Sequence, residues 1–251
     1  MRFSANLGFL WAELPLPEAI RAAHAHGFDA VECHWPFDQD PHSVREALAE
    51  TGLTMLGLNT SRGDTILGEF GLSALPGRQS DAGQAIDQAI HYADQIDAQA
   101  IHVMAGIADG PKAHAIFIEN LVYACDQTDR TILIEPINIY DVPGYFLNSL
   151  AQAEAILTDL NRPNLKLMFD CYHVARTEGD VFAHLQRLLP MIGHIQIASI
   201  PDRRAPDQGI LDYSSVFDLL DRLGWDRPIG AEYKPDGPTE QSLEWLTAAR
   251  R

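Results

Sequence analysis

Short β-rich apolar runs alternate with longer amphipathic segments along the whole chain, and this alternation restricts the fold more than any other feature. Eight strand-like runs fall at residues 2–8, 30–35, 54–60, 100–105, 131–135, 165–170, 193–198 and 228–233. Helical patterns occupy 17–26, 42–51, 79–97, 112–127, 149–160, 179–189 and 214–223, with a last one from about 239. Gly27, Gly52 and Gly224 each follow a helical pattern where a left-handed residue is wanted, and Pro17 and Pro41 suit helix starts. In the third helix Ala82, Ile86, Ala89, Ile90, Ala93 and Ile96 recur at spacings of three and four, which predicts one buried face.

Repeated β-α units imply parallel strands joined by right-handed crossovers, and eight of them in 251 residues predict one (β/α)8 TIM barrel over 1–251. No linker-like or low-complexity tract divides the chain. The alternative is an open doubly wound sheet, which would usually carry a Gly-rich first βα turn. The segment Phe9-Leu-Trp-Ala-Glu-Leu-Pro15 has no such fingerprint.

Composition narrows the function. With 46% hydrophobic and 21% charged residues the chain has ample core-forming material. A formal net charge of −17 would repel a phosphate backbone, so nucleic acid is not the expected partner. Cys33, Cys125 and Cys171 are odd in number and lack CxxC spacing, which reads as free thiols in a reducing cytoplasm. No run approaches a membrane helix and the start lacks a secretory h-region, so a membrane is not expected either. A homo-oligomer is compatible with the sequence.

Glu135, Asp170, Gln196 and Glu232 each close, or nearly close, one of the last four strand-like runs, 35, 26 and 36 positions apart. In a barrel these C-terminal strand ends converge on the functional face. Each residue alone reads as a solvated or capping group. Together, three carboxylates would repel unless a cation joined them. Oxygen donors without thiolate favour a single divalent ion, Mg²⁺ or Mn²⁺, with Co²⁺ or Zn²⁺ also compatible.

Other residues suggest how a small anionic substrate would be held. His173 follows Asp170 by three and could bind a substrate oxygen or shuttle a proton, although a lone loop histidine is more often structural. His194 shares the inward face of Gln196, as second layer or as barrel filling. Lys234 lies on the Glu232 side of its strand and Arg203 in the loop after the seventh strand. The alternation of a strand places Lys234 more firmly than Arg203, and plain surface solvation is the alternative for both. The stretch 59–78 is long and Gly-rich for a βα connection and reads as a lid, from which Arg62 or Arg78 could meet a substrate carboxylate; a packed surface loop is the alternative.

Ile134-Glu-Pro-Ile-Asn138, Asp141-Val-Pro-Gly144, Phe169-Asp-Cys-Tyr-His173, Gly193-His-Ile-Gln-Ile-Ala198 and Gly230-Ala-Glu-Tyr-Lys-Pro235 together resemble the hydroxypyruvate isomerase family of xylose isomerase-like barrels. Arg2-Phe-Ser-Ala-Asn-Leu7, Gly63-Asp64 and Leu75-Pro-Gly-Arg78 extend the resemblance over nearly the full length. It implies a metal held by Glu135, Asp170, Gln196 and Glu232, with Glu135 and Glu232 also moving the proton. It also implies conversion of hydroxypyruvate to 2-hydroxy-3-oxopropanoate through a cis-enediolate. The chain departs from the family pattern at Leu58, Ser199 and Ala205-Pro-Asp-Gln-Gly209, near the substrate loops. A 2-oxo-tetronate isomerase or ketose 3-epimerase would use the same ligands; a metal-dependent nuclease barrel and a non-catalytic sugar-acid-binding barrel are the more distant readings.

Overall fold

The apolar runs form parallel strands because each is covered on both faces, by helices outside and by its neighbours' side chains within. In the computed structural model, which describes residues 1–250, β1 (Phe3–Asn6) pairs with β2 (Ala30–Glu32) on one side and with β9 (Ile229–Ala231) on the other. The sheet continues from β9 through β8 (Ile192–Ile197), β7 (Leu165–Asp170) and β6 (Thr131–Ile134) to β5 (Ala100–His102). β3 (Thr54–Met55) pairs with β2, and β4 (Gly57–Asn59) pairs with β5. These last two are halves of one pass interrupted at Leu56. The Leu56 amide still donates to the Val31 carbonyl at 2.7 Å, so the barrel closes through this kink. The nine strands are therefore the eight expected passes, with the run predicted at 54–60 broken in two.

Side-chain alternation sorts the strands into two faces. Phe3, Ala5, Val31, Ile101, Ile132, Ile134, Phe169, Ile195 and Ile197 belong to the main apolar core shared with the helices. The intervening residues Ser4, Asn6, Glu32, His102, Asp170, His194 and Gln196 are buried as well, and they are polar. Ala100, Leu133 and Met168 form a small separate apolar cluster. The barrel interior thus carries a buried polar layer that an ordinary barrel fills with branched aliphatics.

The helices that cover the sheet are α1 (Leu16–Ala25), α2 (Pro41–Thr51), α3 (Gln79–Ile96), α4 (Gly110–Gln127) and α5 (Leu150–Leu160), followed by α6 (Cys171–Thr177), α7 (Val181–Leu188), α8 (Tyr213–Arg222) and α9 (Glu244–Ala249). Asp40, Ser149, Asp180 and Asp212 cap α2, α5, α7 and α8 by accepting from backbone amides of the first turn. Gly27, Gly52 and Gly224 take φ of 84°, 69° and 77° just beyond α1, α2 and α8, as the helical patterns require.

The periodicity does not foresee α6, because Asp170 ends β7 and caps this helix at once, its Oδ1 accepting from the Tyr172 amide at 2.8 Å. The last segment is a 3₁₀ turn over Thr239–Ser242 before α9 rather than one helix from 239. All three cysteines are free and buried. Among the described residues no helix is long and apolar enough to cross a membrane.

On α3, Ala82, Ile86, Ala89, Ala93 and Ile96 are buried and Ile90 packs at the edge of the core. Ile86 is fully buried, so Ile86→Ala should lose about 2–5 kcal/mol through lost transfer energy and the cavity left behind. A urea midpoint unchanged from that of the parent would contradict this packing.

Candidate metal and substrate site

The four strand-end residues come to the same end of the barrel. Asp170 is the Cα partner of Gln196 across β7 and β8, and Gln196 is in turn the partner of Gly230, two residues before Glu232. Glu135 follows β6 directly, and the side chains of all four are buried. A cavity of about 430 Å³ opens over them, lined among others by Glu135, His173, Arg203, Glu232 and Lys234. Asp170 and Gln196 are buried outside that lining.

Glu135, Asp170 and His173 each place a nitrogen or oxygen atom within 4.8 Å of the others, which puts two carboxylates that could hold a metal ion beside an imidazole. Glu232 lies outside this cluster and is engaged by other partners. His34 Nε2 is 2.9 Å from its Oε1, and the Arg203 Nη2 group donates to its Oε2 at 2.7 Å. The same Arg203 nitrogen also donates to Asp170 Oδ2 at 3.1 Å. Three carboxylates against one guanidinium (three negative charges, one positive) leave a net −2 when all are ionised, the charge one divalent cation would neutralise.

The strain of that arrangement is visible in the proton affinities. Burial, then the Glu232 and Asp170 charges, push the Glu135 carboxyl well above its ordinary value. Burial holds Asp170 up to about 7 against the pull of Arg203. Burial opposes the Glu232 charge too, but Arg203 and His34 outweigh it and keep its carboxyl below the usual range. Glu135 Oε1 and Gln196 Oε1 are buried without any hydrogen-bond partner. These two orphaned oxygens, on Glu135 and on the register partner of Asp170, are hard donors that a cation could satisfy.

His173 is held in one tautomer. Asn138 Oδ1 accepts from the Tyr140 and Asp141 amides at 3.1 and 3.0 Å, which turns Asn138 Nδ2 toward His173 Nδ1 at 2.6 Å. The Asn138 backbone amide donates to the same Nδ1 at 3.3 Å. Nδ1 is therefore the acceptor and the proton sits on Nε2, 3.5 and 3.6 Å from Asp170 and Glu135 oxygens. Such an imidazole donates a hydrogen bond into the cavity and has no free lone pair for an ion. Burial keeps His173 neutral, its proton affinity well below the ordinary value.

The cationic residues divide. Arg203, which strand alternation ranks below Lys234, is the more deeply engaged: its guanidinium joins two carboxylates and stacks over Phe9 and Tyr172 at 5.2 and 5.0 Å. Lys234 lines the cavity as expected, exposed, with Nζ 5.5 Å from the Phe9 ring centroid. Arg62 also lines it, lying 3.8 Å over the Trp35 ring. Arg78 does not reach it, since its guanidinium pairs with Glu69 and Asp81 and holds the loop together. Residues 71–74 are all buried, so the packed-loop reading applies there, while Ile66 and Leu67 protrude.

Sequence reasoning overlooked His34 and His102. His34 follows no motif; its place against Glu232 depends on Gly8, where a Cβ would lie 2.0 Å from the imidazole. His102 Nδ1 sits 3.6 Å from Glu135, and burial lowers its proton affinity to about 4. The inward phase of β5 was the available signal for it.

Residues 20–249 match the family model described as a xylose isomerase-like TIM barrel. The chain is 43% identical over 252 residues to the 2-oxo-tetronate isomerase of Cupriavidus necator, covering 98% of this chain and 97% of that one. It is 34% identical over 257 residues to the hydroxypyruvate isomerase of Escherichia coli, with both chains covered completely (100%). The chain belongs to the hydroxypyruvate isomerase family. A crystal structure named AP endonuclease, family 2, from Brucella melitensis superposes with a TM-score of 0.94 at 36% identity and 98% coverage of each chain.

The raised Asp170 carboxyl generates a pH prediction. Its value in the fold, about 7, lies above the ordinary 3.8, so the metal-free fold loses stability relative to the unfolded chain as pH rises between them. A cation needs the carboxylate and must displace that proton. Mn²⁺ affinity should therefore climb as pH rises through about 7, with protons released on binding below it. Calorimetry in buffers of different ionisation enthalpy measures this; no proton release below that pH would contradict the assignment.

Proposed function

We propose that this protein is a divalent-metal-dependent isomerase of a small hydroxy-oxo acid, interconverting hydroxypyruvate and 2-hydroxy-3-oxopropanoate. The observation that carries the reading is that Glu135 and Glu232, from different strands, line one cavity that also holds cationic Arg203, Lys234 and Arg62. An anionic substrate matches the cations, and paired carboxylates match a proton moved between adjacent carbons.

Glu135, Asp170, Gln196 and Glu232 would hold the ion, Mg²⁺ or Mn²⁺ by the hardness of their oxygens. When bound, the ion would supply electrostatic stabilisation to the charge that develops on neighbouring substrate oxygens as a C–H proton leaves. Glu135 and Glu232 face that carbon centre, one removing the proton and the other serving the second carbon. His173 donates from Nε2 to a substrate oxygen, its tautomer set by Asn138. Lys234 and Arg62 pair with the carboxylate at the cavity mouth, and the aromatic wall of Phe9, Trp35 and Phe70 shields the reacting atoms from water.

The 43% identity to a 2-oxo-tetronate isomerase supports a second reading of the same chemistry on a four-carbon acid. A nuclease, the activity in the name of the Brucella melitensis protein, is disfavoured by a net charge of −17, which opposes the phosphate backbone.

Glu135→Gln and Glu232→Gln should each lower kcat by about 10²–10⁴-fold with the fold retained. Near-parental turnover in both variants would remove the pair from the mechanism. Incubation in D₂O with Mn²⁺ should place deuterium on substrate carbon, whereas a hydrolytic reaction would leave none there. A panel of hydroxypyruvate and 2-oxo-tetronate discriminates the two substrates.

A further inference from the structure

Beneath the cavity one carboxylate gathers four side chains. Glu32, at the end of β2 and buried, accepts from Asn6 Nδ2 at 2.9 Å, Ser4 Oγ at 3.2 Å and Gln196 Nε2 at 2.8 Å, and lies 2.5 Å from His194 Nε2. None of the catalytic roles described above uses it. Space has nevertheless been cleared for it: a Cβ at Gly230 would come within 2.7 Å of both Glu32 carboxylate oxygens and 2.9 Å of His194 Nε2.

The contact with Gln196 matters most. A primary amide is nearly symmetric in shape, so packing alone leaves its oxygen and nitrogen interchangeable. An ionised carboxylate accepts hydrogen bonds and donates none, so it selects the nitrogen end. With Nε2 committed to Glu32, Oε1 points away from it, and that oxygen is buried and unpartnered. Asp170 is the residue beside Gln196 in register. The opposite orientation would turn N–H groups, and their partial positive charge, toward a cation.

We propose that Glu32 is a positioning residue for the metal site: by holding the Gln196 nitrogen it presents the Gln196 oxygen as a ligand. Ser4, Asn6 and His194 act through Glu32, fixing the carboxylate at the depth where it meets the amide. The inference rests on the metal reading of the site and specifies how its one neutral ligand is oriented.

The test is a calorimetric titration of Mn²⁺ into the metal-stripped full-length protein and its variants. Glu32→Gln keeps the shape but removes the obligate acceptor, so the Gln196 amide can turn over. Mn²⁺ affinity should fall about 10–100-fold, as for other residues that orient metal ligands; because the substitution also costs the other buried donors their acceptor, affinities are compared on protein shown to be folded at the titration temperature. The double variant E32Q/Q196E reverses the polarity of the hydrogen bond: the new amide at position 32 donates to one oxygen of the new carboxylate at position 196 and leaves the other for the ion. A carboxylate at position 196 attracts Mn²⁺ by charge alone, so the comparison is with Gln196→Glu by itself, in which two carboxylates face each other: the double variant should bind Mn²⁺ more tightly than Gln196→Glu, which a merely structural role would not produce. Parental affinity in Glu32→Gln overturns the proposal, and so does a double variant that binds no better than Gln196→Glu alone. A parent protein that binds no Mn²⁺ overturns the metal reading itself, a different failure from equal binding by parent and variant.

Discussion

Like charges buried together set the terms for everything at the open end of this barrel. Glu135, Asp170 and Glu232 are all withdrawn from water, and desolvation alone disfavours each ionised form. Mutual repulsion adds to that cost. The fold distributes the burden unequally: Glu232 receives Arg203 and His34, Asp170 shares Arg203, and Glu135 receives no comparable partner. A site so balanced can accept one more positive charge, and the polar interior beneath it contacts the site through Gln196.

The barrel and the inward phase of its strands were legible because parallel strands buried on both faces leave long apolar runs separated by helical periods. Glu135, Asp170, Gln196 and Glu232 stood out because each interrupts or ends such a run. What periodicity missed has local causes. The third pass kinks at Leu56, a break that its apolar run conceals. Helix α6 begins on the residue after β7, leaving no turn signal between the two. Arg203 was ranked low because a loop residue has no strand to set its direction; its left-handed backbone, φ 54°, is fixed by contacts between distant segments, including the Lys234 amide donating to its carbonyl at 2.8 Å. Glu32 and His34 act on residues some 160 to 200 positions away, contacts that spacing cannot encode.

Two layers of polar chemistry are stacked along the barrel axis. The upper layer, Glu135 and Glu232 with the cations around the cavity, is exposed enough to meet a substrate. The lower layer of Glu32, His194, Asn6 and Ser4 meets only protein. If the upper layer carries the proposed chemistry, this separation would let it be tuned without disturbing the framework beneath it. The relatives named as isomerases of three- and four-carbon acids are consistent with tuning of that kind.

Arg203 also links parts of the molecule that are usually free to drift apart. It sits in the connection between β8 and α8, at the rim of the barrel. The connection that forms this part of the rim therefore also supplies the counter-charge to two interior acids. Grafting this connection from a homologue would transplant an electrostatic setting along with a new rim, and a graft that moved the guanidinium would leave both acids stranded.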